Sequence, residues 1–112
     1  LGKFLIFSVA QCLFSHGKAR DWKPERRVLL VEDNQLNAEI AAELLKMSGL
    51  TVDCAWDGIE AVDCLSSCPD GYYDMVFMDI QMPRMNGYDA TRAIRSSARN
   101  YCKRVPIVAM TA

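Results

Sequence analysis

The chain has 112 residues, long enough to bury one hydrophobic core and too short for two. Its 13 Lys+Arg nearly balance 14 Asp+Glu, for a net charge of −1, which excludes a nucleic-acid glove built on bulk positive charge; 51% hydrophobic residues exclude a disordered tail. The longest apolar run, Phe4 to Phe14, is broken by Ser8 and Gln11 and falls short of the roughly 20 residues a membrane span needs. Five cysteines, an odd number without paired spacing, point to a reducing, cytoplasmic compartment rather than a disulfide scaffold.

Lys3 followed by apolar residues has the outline of a signal peptide, but no small-x-small cleavage site follows cleanly. Residues 15–27 are charged, with Gly17 and Pro24 as breakers, and read as a linker, so residues 1–26 are an upstream segment and residues 27–112 the folded domain. Val28-Leu29-Leu30-Val31 is a continuous apolar run ending on Glu32 and Asp33, the pattern of a central parallel strand covered on both faces. Leu36, Ile40, Leu44 and Met47 recur every three or four residues and predict a helix with that stripe inward, capped by Asp33 or Asn34 and ended by Gly49.

Alternation from Thr51 to Trp56 predicts an edge strand, with Val52, Cys54 and Trp56 on one face. Asp57-Gly58-Ile59-Glu60 has the form of a capping box opening a helix that buries Ile59, Val62 and Leu65. Met75-Val76-Phe77-Met78 is a second solid run, ending on Asp79. A third helix is expected to turn Tyr88, Thr91, Ile94 and Ala98 inward, and Arg92, Arg95 and Arg99 read as its solvated basic stripe. Val105 to Met110 is a fourth strand, with Pro106 near its start. The alternating order predicts an α/β fold with a doubly wound parallel sheet.

In such a sheet, chemistry gathers beyond the carboxyl ends of the strands. Glu32 and Asp33 end the first strand, and Asp79 the third. A lone Asp at a strand end is usually a helix cap, and a lone Thr there usually reflects strand propensity. Three acids together with Thr111 on three strand ends are harder to explain by capping. Converging carboxylates cannot all stay ionised unaided; a cluster of hard oxygens suits Mg²⁺, which keeps waters and accepts a phosphate.

These residues resemble a family. Val28-Leu29-Leu30-Val31-Glu32-Asp33-Asn34, the stretch Met78-Asp79-Ile80-Gln81-Met82-Pro83-Arg84-Met85-Asn86-Gly87, and Ala109-Met110-Thr111-Ala112 resemble the receiver (response-regulator) domain of two-component phosphorelays, with the middle stretch most like receivers of hybrid sensor histidine kinases. The resemblance implies a flavodoxin-like sheet of strand order 2-1-3-4-5. It implies Asp79 as phosphoacceptor, Mg²⁺ held by Glu32, Asp33, Asp79 and the Gln81 backbone carbonyl, and Thr111 as switch hydroxyl. The implied donor is a phosphohistidine on a histidine kinase or phosphotransfer domain. His16, the only histidine, stands in the linker and reads as solvated, so the phosphate comes from elsewhere.

The chain departs from the family's pattern by stopping before the fifth strand, its lysine and the last helices, so the receiver is expected to be C-terminally incomplete, part of something longer. Lys103 precedes the fourth strand and cannot replace that lysine. Gly2 to Val9 resembles, over a short stretch, the last strand of a histidine-kinase ATP-binding domain, which fits a covalently attached kinase. Two other readings stand beside the phosphoacceptor: an interaction domain that is not phosphorylated, and a phosphoaspartyl hydrolase. The hydrolase needs a second acid two residues after Asp79, where Gln81 stands. Cys64 and Cys68 lack the further ligands of a zinc site. No direct nucleic-acid or membrane contact is expected of the domain.

Overall fold

The computed structural model describes residues 26–110. The upstream segment, with Phe4 to Phe14 and His16, and the switch candidate Thr111 lie outside the described residues. In chain order the elements are β1 (Arg26–Val31), α1 (Gln35–Met47), β2 (Leu50–Ala55), α2 (Gly58–Ser67), β3 (Met75–Asp79), α3 (Gly87–Arg95), the short α4 (Asn100–Arg104) and β4 (Ile107–Met110). The strands form one parallel sheet in the order β2-β1-β3-β4. β1 and β3 are central, as their unbroken apolar runs require, and β2 is an edge.

The β1 run packs on both faces of the sheet, because successive side chains point to opposite sides. Val28 and Leu30 join Phe77 in a core beneath α1, while Leu29 and Val31 join Val76 and Met78 in a core beneath α2 and α3. The two cores fix the strands against slippage, since a shift of one residue would exchange their side chains. No helix of the described residues is long and apolar enough to cross a membrane.

The structure corrects three sequence expectations about helix faces. In α1 the buried residues are Ala38, Ala41, Ala42 and Leu45. The stripe expected inward faces out instead, with Leu36 65%, Ile40 45% and Met47 77% exposed. Both stripes have helical spacing, and the one rich in alanine lets the helix axis approach the sheet closely. In α2, Ala61 and Leu65 are buried while Ile59 is exposed. In α3, Gly87, Ala90 and Ile94 face in, Tyr88 is exposed, and the helix ends at Arg95, before Ala98.

Helix α4 was not anticipated, and it draws the expected basic stripe apart. Arg99 precedes α4 and donates to the carbonyls of Leu65 (2.6 Å), Ser66 (3.2 Å) and Cys68 (2.7 Å), with Asp70 as its ionic partner. Those carbonyls end α2, where the helix dipole favours a cation. Arg95 bonds the Cys102 carbonyl at 3.0 Å, and Arg92 alone keeps a solvated position, beside Asp89.

Candidate metal and phosphoacceptor site

Strand order brings the acids together. β1 and β3 are hydrogen-bonded neighbours in which Val31 pairs with Met78, so Glu32 and Asp79 emerge side by side. One carboxylate oxygen from each of Glu32, Asp33 and Asp79 lies within 4.8 Å of the others, the one such group of three among the described residues. Glu32 is buried, Asp79 is half-buried and Asp33 is exposed, so the cluster runs from the sheet edge outward to solvent.

Local hydrogen bonds hold the group open. Asn34, rather than Asp33, caps α1, its side chain accepting from the Asn37 amide at 2.9 Å. The cap therefore leaves the Asp33 carboxylate for the cluster. The Glu32 amide donates to the Ala55 carbonyl at 3.1 Å, and a Glu32 carboxylate oxygen accepts from the Asn34 amide at 3.3 Å. Across the site the Gln81 amide donates to Asp79 Oδ1 at 3.1 Å. Lys103 lies in α4, ahead of β4, as its place in the sequence required.

The electrostatics of this arrangement are costly. Burial first, and then the neighbouring Glu32, push the Asp79 carboxyl up to about 7, against the single favourable contribution of the Gln81 amide. A carboxyl raised in the folded state contributes stability that is complete below its ordinary value and lost as pH rises through the folded value. In the absence of divalent cation the thermal midpoint is therefore expected to lose this contribution from about pH 4 to about pH 7 and to level off above, the window between the ordinary Asp79 value and the raised one. Mg²⁺ should restore more of it at the upper end than the lower, which parallel melts in chelator and in Mg²⁺ would measure; a flat profile in chelator would count against the cluster. As a donor set, carboxylates at graded depth beside open solvent suit a hard, partly hydrated cation such as Mg²⁺.

Some of the site has no signal in the sequence. Arg84 adopts φ 63°, a left-handed conformation, and its guanidinium bonds Asp57, the buried N-cap of α2. Gly87 closes the loop after Asp79, donating to the Ile80 carbonyl at 2.9 Å. A glycine at a helix start could have suggested a close approach, but nothing in the composition of the loop predicts the Arg84–Asp57 pair. Thr111 lies beyond the described residues; its neighbour Met110 pairs with Asp79 in the β3–β4 register.

A parallel sheet of this order, with acids gathered at the carboxyl ends of its central strands, defines the receiver class of signalling domain. Residues 28–112 match the model of the response regulator receiver domain, and the chain belongs to that family. It is similar to Hybrid signal transduction histidine kinase B of Dictyostelium discoideum, 51% identical over 69 residues, which are 62% of this chain and 3% of that protein. It is 45% identical over 80 residues to Histidine kinase 3 of Arabidopsis thaliana, covering 71% of this chain and 8% of that one. Transcription factor SKN7 of Chaetomium thermophilum is 46% identical over 92 residues, covering 82% of this chain and 11% of that protein. The chain thus spans a small fraction of these relatives' length. Among solved structures it resembles the receiver domain of a sensor histidine kinase from Pseudomonas aeruginosa PAO1, with a TM-score of 0.71 and 40% identity, covering 79% of this chain and 68% of that one. That receiver was crystallised with a magnesium ion coordinated in its active site cleft. The chain is accordingly a receiver domain of two-component signalling.

Proposed function

We propose that Asp79 accepts a phosphoryl group from a phosphohistidine on a histidine kinase or phosphotransfer domain, and that Glu32, Asp33, Asp79 and the Gln81 backbone carbonyl hold the Mg²⁺ this requires. The observation that carries the reading is the convergence of the three carboxylates within 4.8 Å at the edge of the sheet. Metal binding fits a donor set that is otherwise self-repelling, and a receiver of similar structure holds magnesium in its active site cleft.

The residues divide the work. The Gln81 amide donates to Asp79 Oδ1, and we assign the attack to the other carboxylate oxygen, Oδ2. A lone pair on Oδ2 forms the new O–P bond as the P–N bond breaks, and the electron pair returns to the histidine ring. Asp79 must be ionised to attack, and with its carboxyl near 7 a share of the molecules is protonated at neutral pH. Bound Mg²⁺ would favour the carboxylate and neutralise charge on the equatorial phosphoryl oxygens. Glu32, buried and held by the Asn34 amide, fixes the inner wall, while Asp33 and solvent leave the outer side open to a partner. Thr111 would donate its hydroxyl to a phosphoryl oxygen and, by moving toward it, bias the surface read by the output.

Residues 27–112 would form the receiver and residues 1–26 an upstream segment and linker. Relatives that are kinases and a relative that is a transcription factor leave either kind of covalent neighbour in play. We place the domain in the cytoplasm, where its phosphodonors work. A hydrolase is disfavoured because Gln81 stands where the second acid is needed, and a carboxamide cannot act as a general acid. An interaction domain that is never phosphorylated is disfavoured by the complete acid cluster.

The test is incubation of the protein with acetyl phosphate and Mg²⁺. The expected result is a mass gain of one phosphoryl group that requires Mg²⁺, is labile to hydroxylamine as an acyl phosphate must be, and disappears in Asp79→Asn. Equal labelling of parent and Asp79→Asn would move the acceptor elsewhere and end the proposal.

A further inference from the structure

We propose that Arg84 is a positioning residue of the metal site: its ion pair with Asp57 fastens the loop that carries Gln81 to the corner of the fold that also holds Glu32. The inference rests on the reading of Gln81 as a backbone ligand.

The loop between β3 and α3 leaves the site at Asp79 and returns at Gly87. It is closed by the Gly87 amide on the Ile80 carbonyl at 2.9 Å and tightened by the Met85 amide on the Pro83 carbonyl at 2.7 Å. Between them Arg84 is the one non-glycine residue at positive φ among the described residues. That conformation is strained by on the order of 1 kcal/mol for a side chain of this kind. Glycine or asparagine would hold the turn with less strain, so backbone preference does not account for arginine here.

The side chain does account for it. Arg84 Nε donates to Asp57 Oδ2 at 2.7 Å, and Nη2 donates to the same oxygen. The other oxygen of Asp57 is already fixed, because Oδ1 caps α2 by accepting from the Glu60 amide at 2.9 Å. The Glu60 side chain reaches back to the amide of Trp56, the residue before the cap, at 3.2 Å. Asp57 is therefore a buried anchor that cannot shift without uncapping a helix.

The same corner reaches the acids. Two residues before Asp57, the Ala55 carbonyl holds the Glu32 amide at 3.1 Å. A second contact reinforces the pair: the start of α2 lies so close to the loop that a Cβ on Gly58 would sit 2.5 Å from the Met85 carbonyl oxygen. Arg84 thus joins the two halves of the candidate ligand set, Glu32 on one side and Gln81 on the other, through a fixed point that is itself no ligand. An exposed ion pair contributes little to global stability. An arginine fork onto a buried, pre-fixed carboxylate is better suited to set a loop's geometry.

The test compares parent, Arg84→Gly and Arg84→Lys on the full chain by calorimetric titration with Mg²⁺ alone and by amide hydrogen exchange over residues 80–86. Glycine removes the ion pair and relieves the strained turn, so thermal unfolding should stay near that of the parent. Mg²⁺ affinity should nevertheless fall by about tenfold, the scale of losing an outer support of a metal site, and exchange over 80–86 should quicken. Lysine keeps the charge without the fork and should recover part of the affinity. Parent-like affinity and exchange in Arg84→Gly, in a parent that binds Mg²⁺ and is labelled by acetyl phosphate, would overturn this inference alone. A parent that neither binds Mg²⁺ nor is labelled would overturn the proposed function, and this inference with it.

Discussion

Gly87→Ala is expected to damage the fold and the site together. A Cβ on Gly87 would fall against the Asp79 carbonyl oxygen closer than any real contact, 2.9 Å from Ile80 Cα and 3.0 Å from the Asp79 carbonyl carbon. All three are backbone atoms at the end of the central strand β3, so no flexible side chain can yield. Either the first turn of α3 lifts off the sheet or the Asp79 backbone moves. The first opens the core around Ala90 and Ile94; the second displaces the proposed phosphoacceptor. Overpacking of this kind costs about 1–3 kcal/mol or more. That is a large part of the roughly 5–15 kcal/mol by which domains are stable, and it should lower the melting temperature by about 10 °C or more. Circular dichroism melts, with Mg²⁺ titration of whatever remains folded, would measure both effects. An alanine variant that melts with the parent would mean that helix and strand are not in contact as described.

Glu32→Gln should separate stability from function. Glu32 is buried beside Asp79 and, after burial itself, is the chief reason the Asp79 carboxyl stands near 7. The amide keeps the shape and can still accept the Asn34 hydrogen bond through its oxygen. Its NH₂ group can donate to the neighbouring carboxylates instead of repelling them. The Asp79 carboxyl should then move down toward its ordinary range, although burial continues to hold it above. By the same linkage, stability in chelator at about pH 8 should rise above the parent's, because less of the folding free energy is spent on ionising Asp79. Mg²⁺ affinity should fall by about ten- to hundredfold, as for lost support of a metal ligand. Protein stability and cation binding thus move in opposite directions, the usual sign of a site kept for function rather than for the fold. A glutamine variant less stable than the parent in chelator would show that Glu32 is held by compensating contacts, and that the repulsion assigned to it is absent.

The sequence by itself determined the fold class, the four strands and the positions of the three acids. Unbroken apolar runs at Val28–Val31 and Met75–Met78 identify strands covered on both faces, and a parallel sheet must present their carboxyl ends at one edge. Glu32, Asp33 and Asp79 were therefore legible as a group before any coordinates, and the family resemblance followed from the same residues. Which helix faces turn inward was decided only by the tertiary structure. In α1 two stripes share the helical spacing, and close approach to the sheet selected the alanines over Leu36, Ile40 and Met47. Periodicity reports a face's polarity and is blind to the distance at which the face must pack. Arg99 and Arg84 were likewise indistinguishable from solvated cations in sequence. Their partners, the last carbonyls of α2 and the buried Asp57, lie 31 and 27 positions away and come within reach only when the crossovers close. Strand ends are set by local patterns, whereas ion pairs and close backbone contacts depend on the packing of whole elements. The acids proposed to carry the chemistry were therefore legible early, and the scaffold that holds them in register emerged only in three dimensions.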